Sequence, residues 1–278
     1  MTFQAILAPY DLDVLRHGSG AGPEVLVSNG ALDGIAVAAT TAIDLSTRAA
    51  SQIQQCMAID AAIARAVRPV CDAGDIAIVF AGNCHSCLGS LSGIGARATI
   101  IWFDAHGDLN TPDTTESGYF DGMALATALG WGWTAMTRQI PGFSAANESD
   151  AVLAGGRDLD AAERQLLEQS RVTHHAPAPL AAAVSKDFEH ALLAASRPRR
   201  AYVHLDLDVI DPSLMRANRF NAPGGVTVDW LEAALRIVRR HHDIAAVGVT
   251  AYDPSYTAPS AAAPIVNRLL RALLHTNP

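Results

Sequence analysis

The sequence lacks a hydrophobic run long enough to cross a membrane. Its longest apolar stretches are interrupted by Asp, Arg, Gly or Pro within about ten residues, whereas a membrane helix needs roughly twenty. The chain starts with MTFQAILAPYD, which lacks the basic region of a signal peptide and reaches Asp11 too early for its apolar segment. We therefore expect no membrane partner and a cytoplasmic location.

Cysteine is scarce, and clusters of basic residues are missing. Four cysteines are too few for a disulfide framework in a chain of 278 residues, which favours reduced thiols. The formal net charge is −8 at pH 7, and the basic residues form only short pairs such as Arg199-Arg200 and Arg239-Arg240. An acidic chain without a basic patch is unsuited to a phosphate backbone, so we expect no nucleic-acid partner.

Half of the residues are hydrophobic, and their pattern predicts an α/β fold. A chain of this length suits one α/β domain better than two small ones, so we expect a single domain over residues 1–278. Short runs rich in Val, Ile and Ala predict eight buried strands, at residues 3–7, 35–38, 76–81, 99–103, 152–154, 172–174, 201–205 and 245–250. Helical patterns lie between them, notably at residues 49–67, 180–195, 228–240 and 261–274. This alternation predicts βαβ crossovers and a mainly parallel sheet with helices on both faces.

Potential metal ligands follow three of the predicted strands, at the carboxyl ends where open α/β sheets bind their ligands. They occur in the segments Asn83-Cys84-His85-Ser86, Asp104-Ala105-His106-Gly107-Asp108 and Asp206-Leu207-Asp208-Val209-Ile210-Asp211-Pro212. In an extended backbone, residues two apart project to the same side of the strand, so the ligands within one segment can converge. We predict a metal site formed by His85, Asp104, His106, Asp108, Asp206 and Asp208.

Charge repulsion indicates that this site holds cations. Four carboxylates so close together would repel one another severely unless cations lay among them. Mixed histidine and carboxylate ligands suit Mn²⁺, Fe²⁺ or Zn²⁺, and six ligands are more than one catalytic zinc needs. A pair of ions about 3.5–4 Å apart, bridged by carboxylates and by a hydroxide, fits this set. A lone D-x-D or D-x-H after a strand is usually a cap or turn, but their joint occurrence favours metal binding.

The motifs D-A-H-x-D and D-x-D-x-x-D-P resemble those of the arginase and agmatinase (ureohydrolase) family. The resemblance extends over almost the whole chain, from Pro9-Tyr10-Asp11 to Asp253-Pro254-Ser255. It implies a three-layer α/β/α sandwich with a mainly parallel eight-stranded sheet, and two Mn²⁺ ions per chain. It also implies that the six ligands are those given above, with Asp108 and Asp208 among the candidates to bridge the ions.

The same resemblance implies that the partner is a small amino-acid substrate. Asn110 and Ser117 lie in segments that resemble the arginase loop holding the α-carboxylate, and Asp160 lies in a segment resembling the one that receives the α-amino group. Agmatine lacks that carboxylate, so the pattern favours an arginine-like amino acid over a decarboxylated amine. The alternative for Asn110 and Ser117 is ordinary loop and turn chemistry.

Three positions depart from the family pattern. Cys84 replaces a carboxylate beside a metal ligand and could tune or block the site; its alternatives are a packing residue or half of a redox Cys84-x-x-Cys87 pair. Asp121 stands where arginases have a His thought to shuttle protons, and its alternative role is a helix N-cap. Ala251 stands where a Glu would face the guanidinium.

The missing Glu favours a substrate less basic than a guanidinium. An N-hydroxyguanidine fits because its electron-withdrawing hydroxyl leaves the group nearer neutrality at pH 7. Within the family, this pattern resembles the Nω-hydroxy-L-arginine amidinohydrolases of D-cycloserine biosynthesis, which give hydroxyurea and L-ornithine. The implied mechanism is attack of a metal-bridging hydroxide on the guanidine carbon, with Asp108 and Asp121 as the proton-carrying catalytic residues.

Two rival functions stay open at this point. One is an ordinary arginase, with agmatinase or formiminoglutamase-like activity ranking below it. The other is a binding or regulatory protein that kept the metal site without catalysis, which the changes at Cys84, Asp121 and Ala251 motivate. A monomer and a homo-oligomer are both compatible with the sequence.

Overall fold

The described residues, 2–45, 48–181, 183–195 and 199–275, include a parallel eight-stranded sheet in a computed structural model. The strands are β1 (Phe3–Ala8), β2 (Tyr10–Asp11), β3 (Val14–Leu15), β4 (Val37–Ala42), β5 (Ile76–Ala81), β6 (Thr99–Phe103), β7 (Ala151–Ala154), β8 (Thr173–His175), β9 (Arg200–Asp206) and β10 (Asp243–Thr250). The large sheet has the order β4-β1-β5-β10-β9-β6-β7-β8, with each neighbouring pair parallel. Strands β2 and β3 form a separate antiparallel pair.

Helices cover both faces of this sheet. They are α1 (Gly22–Ser28), α2 (Gln52–Asp72), α3 (Cys87–Ile94), α4 (Ala124–Ala128), α5 (Thr134–Thr137), α6 (Ala161–Gln169), α7 (Lys186–Ala194), α8 (Val228–His241) and α9 (Pro259–Leu274). Side chains of α1, α7, α8 and α9 pack in one hydrophobic cluster, and those of α2, α3 and α4 pack in another on the opposite face. The predicted α/β fold, with a mainly parallel eight-stranded sheet between helices, is therefore confirmed.

Burial on both faces explains why the central strands have continuous apolar sequences. In β5, Ile78 and Phe80 belong to one hydrophobic cluster, whereas Ala77 and Val79 belong to the other. Successive side chains of a strand point to opposite faces, so a strand covered on both sides needs apolar residues at every position. Within the described ranges, no helix combines the length and hydropathy needed to cross a membrane.

Two predicted helices differ from the observed ones at their ends. Helix α2 begins after Ser51, whose hydroxyl accepts a hydrogen bond from the backbone N–H of Gln54 at 3.3 Å, and it continues through Pro69 to Asp72. Helix α7 begins at Lys186 instead of residue 180, after an extended Ser185 at its N-cap position. Residue 182 of that predicted range lies outside the described residues. The Ser51 cap, which hydrophobic periodicity does not report, marks the start of α2, whereas Ser185 makes no side-chain cap hydrogen bond at the start of α7.

Strand β4 lies later in the chain than predicted and extends beyond the predicted range. It spans Val37–Ala42 at the edge of the sheet, and its residues are mostly exposed. The predicted start at Ile35 belongs instead to a turn, because the Ile35 backbone N–H donates to the Leu32 carbonyl at 3.0 Å. An edge strand has a neighbouring strand on one side only and is more exposed to solvent than a central strand. Polar residues such as Thr40 and Thr41 are therefore tolerated there.

A glycine that follows β5 fixes the path of the chain toward the carboxyl end of the sheet. A Cβ atom on Gly82 would lie 2.1 Å from the Tyr10 carbonyl oxygen and 2.8 Å from the Gly20 backbone nitrogen. Because both neighbours are backbone atoms, neither can move aside cheaply. We expect Gly82→Ala to lower the free energy of unfolding by about 1–3 kcal/mol, measured by urea denaturation.

The matched control is Gly122→Ala, since an added Cβ there meets nothing within 4 Å and its backbone is not left-handed. Its unfolding free energy should stay within about 0.5 kcal/mol of the unmodified protein. Equal urea midpoints for the Gly82→Ala and Gly122→Ala variants would contradict this account of the turn.

Candidate metal centre and substrate cavity

The sheet order brings together the three strand ends that carry proposed ligands, with the end of β10 among them. Strands β5, β10, β9 and β6 are consecutive neighbours, so the loops that follow them meet at one edge of the sheet. A cavity of about 350 Å³ opens there. Nine acidic residues line it: Asp104, Asp108, Glu116, Asp121, Asp158, Asp160, Glu163, Asp206 and Asp208. So many carboxylates around one cavity make it a strong attractor for cations.

The first group of potential ligands is Asp104, His106 and Asp208, whose ligand atoms lie within 4.8 Å of one another. His106 Nδ1 is 3.3 Å from Asp104 Oδ1 and 3.3 Å from Asp208 Oδ2. The backbone N–H of Ala105 donates to Asp208 Oδ1 at 3.2 Å, which helps to fix that carboxylate. Side chains that follow β6 and β9 therefore converge here, across two segments, whereas the spacing in the sequence indicated convergence within each segment.

Electrostatics in this group favours a cation. Burial and the charge of Asp208 raise the pKa of Asp104 to about 6. Burial alone would raise the pKa of Asp208, but the charge and hydrogen bond of His106 lower it to about 2. The pKa of His106 is raised, because the two carboxylates outweigh its burial. The imidazolium thus serves as the counter-cation, and a divalent ion binding here would displace its proton.

The second group is Cys84, Asp104, His204 and Asp206, again with ligand atoms within 4.8 Å of one another. The Cys84 thiol donates to Asp206 Oδ2 at 3.0 Å, and the Thr250 hydroxyl donates to the same oxygen at 3.3 Å. The His204 ring is stacked on Trp102, with 3.6 Å between the ring centroids. Asp206 is thereby held between two donors at the floor of the cavity.

The thiols of the C-x-x-C pair are poorly suited to redox chemistry. Burial, followed by the charge of nearby aspartates, raises the pKa of both Cys84 and Cys87 well above the usual value. A reactive cysteine needs its thiolate form at neutral pH, which a raised pKa opposes. The structure therefore favours Cys84 as a neutral donor beside Asp206 over the redox alternative.

The carboxylate of Asp108 gives the clearest indication that cations fit this site. Its Oδ2 atom is buried and has no hydrogen-bond partner, and its backbone has a left-handed φ of +50°. A buried carboxylate oxygen without a partner is costly, and coordination of a cation removes that cost. The oxygen-rich donor set, completed by imidazole, suits divalent ions such as Mn²⁺. The residues present therefore fit a metal centre.

His85 has a different environment from the other predicted ligands. It is buried, but its Nδ1 atom lies 3.1 and 3.3 Å from the two carboxylate oxygens of Asp60 on α2. His85 is not among the described residues that line the cavity. The structure thus brings Asp104, His106, Asp206 and Asp208 into ligand groups, places Asp108 beside them, and pairs His85 with Asp60. The complete set of six ligands stays a prediction.

Asp121 lines the cavity and is tied to the loop after β5. Its two carboxylate oxygens accept hydrogen bonds from Asn83 Nδ2 at 2.9 Å and from the His85 backbone N–H at 3.0 Å. The helix it was suggested to cap, α4, begins three residues later at Ala124. Burial raises the pKa of Asp121, only partly opposed by the charge of His85. The structure therefore favours a role for Asp121 at the cavity over a role as a helix N-cap.

The predicted substrate contacts Asn110, Ser117 and Asp160 all line the same cavity. Asn110 Nδ2 donates to Asp160 Oδ2 at 2.8 Å, and Asn110 Oδ1 accepts from the Thr114 hydroxyl at 3.1 Å. Ser117 Oγ accepts from the Tyr119 backbone N–H at 3.1 Å. These three side chains are thus assembled at one end of the cavity, partly occupied by turn contacts of the kind the alternative predicted.

Ala251 lines the cavity directly after β10. Its backbone is left-handed, with a φ of +61°, and its carbonyl accepts a hydrogen bond from Asn218 Nδ2 at 3.0 Å. Asn218 Nδ2 also lies 3.3 Å from Asp208 Oδ2. Position 251 therefore faces the same space as the ligand groups, with a methyl group where a longer side chain would project.

Comparison with known proteins identifies the family. The Arginase family model matches residues 2–275. The chain belongs to the arginase family. It is 30% identical over 225 residues to an arginase of Bacillus caldovelox, covering 74% of this chain and 75% of that protein. It is 31% identical over 170 residues to an N(omega)-hydroxy-L-arginine amidinohydrolase of Streptomyces lavendulae, covering 59% of this chain and 57% of that protein.

Solved structures agree with this assignment at the level of the fold. The arginase of Bacillus cereus is 21% identical, with a TM-score of 0.87 and coverage of 100% of this chain and 99% of that chain. Family membership makes this ureohydrolase a hydrolase of guanidino groups that depends on a binuclear metal centre, and the two ligand groups at the cavity agree with that dependence.

Sequence reasoning missed several site residues of this arginase-family enzyme. His204 precedes Asp206 by two positions in β9, so the alternation of strand side chains could have placed both on one face. Asp60 is fully buried in the otherwise apolar middle of α2, and a charge in such a place usually has a partner. Asn218 lies in a loop, where no periodic signal marks it.

Asp160 offers a test of substrate binding in this ureohydrolase. It is exposed at the N-cap of α6, where the Glu163 carboxylate accepts a hydrogen bond from the Asp160 backbone N–H at 2.9 Å. We expect Asp160→Ala to raise KM about tenfold with little change in kcat, because it removes an anion remote from the reacting carbon. Steady-state kinetics with the amino-acid substrate measures this.

The control variant Asp160→Asn keeps a favoured N-cap residue while removing the charge. It should match Asp160→Ala in KM but retain the stability of the unmodified protein, whereas the alanine variant should lose about 1 kcal/mol. If the asparagine variant bound substrate normally, the charge of Asp160 would have no part in recognition.

Proposed function

We propose that this enzyme is a binuclear-manganese amidinohydrolase that hydrolyses Nω-hydroxy-L-arginine to hydroxyurea and L-ornithine. The observation that carries the proposal is Ala251, which lines the cavity beside the ligand groups and leaves no carboxylate at that position. The relative from Streptomyces lavendulae, whose name specifies this reaction, supports it. The proposed setting is the cytoplasm and antibiotic (D-cycloserine) biosynthesis.

Two ions, held by His85, Asp104, His106, Asp108, Asp206 and Asp208, would supply activated water at neutral pH and electrostatic stabilisation of developing charge. Mn²⁺ is preferred because most of these ligands are carboxylate oxygens and the remainder are imidazoles. Cys84, as a neutral thiol with a raised pKa, does not shift the set toward softer ions.

Asp108 is the proposed proton carrier at the reacting carbon. Its carboxyl group lines the cavity, and burial followed by the charges of Asp104 and Asp121 raises its pKa above the ordinary value where no cation is bound. A carboxylate in that place can accept a proton from water and return it to a leaving group. Asp108 takes the proton of the attacking water and delivers it to the departing ornithine nitrogen.

Asp121 is the proposed exchange point between Asp108 and solvent. At its ordinary pKa of about 3.9 an aspartate is a poor acid at neutral pH. Burial raises the pKa of Asp121, which moves this side chain toward a useful range. Its position in the cavity wall lets it replace the proton-shuttling His of arginases.

The amino-acid end of the substrate is proposed to bind at Asn110, Ser117 and Asp160. The first two offer neutral polar groups to a carboxylate, and the exposed Asp160 offers an anion to an ammonium group. The hydrogen bond between Asn110 and Asp160, and the presence of all three side chains in the cavity lining, support this grouping. Fixing this end holds the guanidine carbon in place for attack.

The absence of a carboxylate at position 251 is the proposed basis of substrate choice. Asp253, the nearest acidic residue in sequence, accepts hydrogen bonds from the backbone N–H and hydroxyl of Ser255 at 2.9 and 2.7 Å. It is not among the described residues that line the cavity. A full guanidinium therefore meets no carboxylate at position 251 to offset two divalent cations, whereas a neutral hydroxyguanidine needs none.

The second candidate function is that of an ordinary arginase, which the Bacillus caldovelox relative favours because it covers more of the chain. The deciding experiment compares Nω-hydroxy-L-arginine, L-arginine, agmatine and N-formimino-L-glutamate as substrates of the Mn²⁺-loaded protein. Hydroxyurea as the fastest product supports our proposal, and urea from L-arginine at an equal or greater kcat/KM supports the arginase.

A further inference from the structure

A loop that contacts the candidate metal centre also carries an arginine beside two aromatic rings of the cavity lining. Asn218 is buried and contacts both Asp208 and the Ala251 carbonyl through its Nδ2 atom. Its Oδ1 atom accepts the Phe220 backbone N–H at 2.8 Å. The backbone of Arg219, between these two residues, is therefore anchored beside the proposed ligands, while its side chain is exposed.

The Arg219 guanidinium lies on an aromatic wall of the cavity, beside the described lining residues rather than among them. Its central carbon is 4.6 Å from the Phe220 ring centroid and 5.7 Å from that of Tyr119. Both rings line the cavity, and the Phe220 ring centroid is 6.4 Å from that of His106. A guanidinium that lies over a ring face keeps its in-plane N–H donors free. Two of these donors can bind both oxygens of a carboxylate.

The charges around Arg219 indicate what it is free to bind. Within the described ranges no carboxylate forms an ion pair with it, although several acidic side chains line the cavity. A substrate carboxylate arriving among Glu116, Asp158 and Asp160 would be repelled unless a cation offset them. Asn110 already gives one amide hydrogen to Asp160. A neutral amide alone is a weak binding partner for the substrate carboxylate.

We propose that Arg219 binds the α-carboxylate of the substrate at the cavity mouth and thereby selects amino acids over decarboxylated amines. The inference rests on the proposed function, because it requires an amino-acid substrate. The carboxylate pairs with the free N–H edge of Arg219, while Asp160 receives the ammonium. The aromatic wall formed by Tyr119 and Phe220 keeps the guanidinium from moving toward the acidic residues.

The test compares substrates with and without the carboxylate. KM and kcat are measured for L-arginine and agmatine in the unmodified protein and in Arg219→Gln, Arg219→Lys and Arg216→Gln. Arg216 is the matched control, because it is also an exposed arginine over an aromatic ring, 5.2 Å from the centroid of Tyr256, but that ring is not among the described residues that line the cavity. Calorimetry with L-ornithine and putrescine repeats the comparison without turnover.

We expect Arg219→Gln to raise KM for L-arginine about five- to tenfold, to leave kcat within about twofold, and to leave both constants for agmatine unchanged. Arg219→Lys should recover part of the loss, since it keeps the charge but not the fork. Arg216→Gln should have no effect. L-Ornithine affinity should fall in Arg219→Gln while putrescine affinity does not.

An equal loss for L-arginine and agmatine would overturn the inference and assign Arg219 to packing on the aromatic wall. If the unmodified protein preferred L-arginine to agmatine and Arg219→Gln kept the same preference, the inference would be overturned while the proposed function would stand. If the unmodified protein treated L-arginine and agmatine alike in both turnover and binding, the amino-acid substrate of the proposed function would fail together with the role of Arg219.

Discussion

Replacing Asp208 with alanine is expected to remove at least one of two Mn²⁺ ions per chain and to lower kcat by at least about 100-fold. Groups that merely support a ligand typically account for 10- to 100-fold in metal affinity or activity, so a direct ligand should account for more. Asp208 also holds His106 through its carboxylate, at 3.3 Å. His106→Ala should therefore have a similar effect. Elemental analysis after dialysis, combined with kinetics, measures both losses.

The control for this pair is Asp243→Ala. Asp243 is an exposed carboxylate at the start of β10, whereas the cavity lies at the other end of that strand. Its only described ion pair, with Arg199 at 3.6 Å, is exposed, and exposed pairs contribute little. This variant should keep metal content and turnover. Full metal content and full turnover in both Asp208→Ala and His106→Ala would contradict the ligand assignment.

Nω-hydroxy-L-arginine is expected to exceed L-arginine in kcat/KM by at least about tenfold, which corresponds to about 1.4 kcal/mol of transition-state stabilisation. The reason is local charge. Ala251 gives a guanidinium no partner beside the two ions, and the carboxylate of Asp253 is occupied by Ser255. A neutral hydroxyguanidine needs no anionic partner at this position. Product analysis of urea and hydroxyurea from both substrates measures the ratio.

Restoring a carboxylate should narrow this preference. Ala251→Glu places an anion at the cavity wall, and the left-handed backbone there already carries a Cβ atom, so glutamate adds no new backbone strain. L-Arginine should gain more in kcat/KM than the hydroxylated substrate. Ala251→Gln is the matched control, since it has the same shape without the charge and should leave the ratio unchanged. Equal kcat/KM values for the two substrates in the unmodified protein would return the assignment to ordinary arginase.

The sequence predicted those parts of the site that depend on local geometry. Asp104 and His106 follow β6, and Asp206 and Asp208 follow the neighbouring β9, so strand periodicity and the parallel sheet were enough to bring them together. The side chain of His85 depends instead on α2, which supplies Asp60 from 25 positions earlier. A pairing between a helix and a distant loop leaves no mark in either local pattern.

Element boundaries show the same division. The central strand β5 was predicted at Ile76–Ala81, as observed, because burial on both faces makes it uniformly apolar. The edge strand β4 was misplaced because its exposed residues dilute the hydrophobic signal, and α7 was predicted from residue 180 although it begins at Lys186. That all 278 residues form one domain stays a prediction, as does the cytoplasmic location.

Loop residues were the least predictable part of the site. Asn218 and Arg219 lie between β9 and α8 in a segment without regular structure. Their roles arise from contacts with Asp208, Ala251 and the ring of Phe220, all of which depend on how the loop folds back over the cavity. Loops positioned by a rigid scaffold commonly carry specificity, and the contacts behind the proposed role of this loop are visible only in the three-dimensional structure.

Metal analysis coupled to hydroxyurea and urea assays on one purified preparation tests the central claim most directly. We predict close to two Mn²⁺ per chain and rapid release of hydroxyurea and L-ornithine from Nω-hydroxy-L-arginine. Activity should disappear when a chelator removes the ions and return when Mn²⁺ is restored. Undiminished hydrolysis by the metal-free protein, or no hydrolysis of any guanidino substrate by the Mn²⁺-loaded protein, would contradict the account.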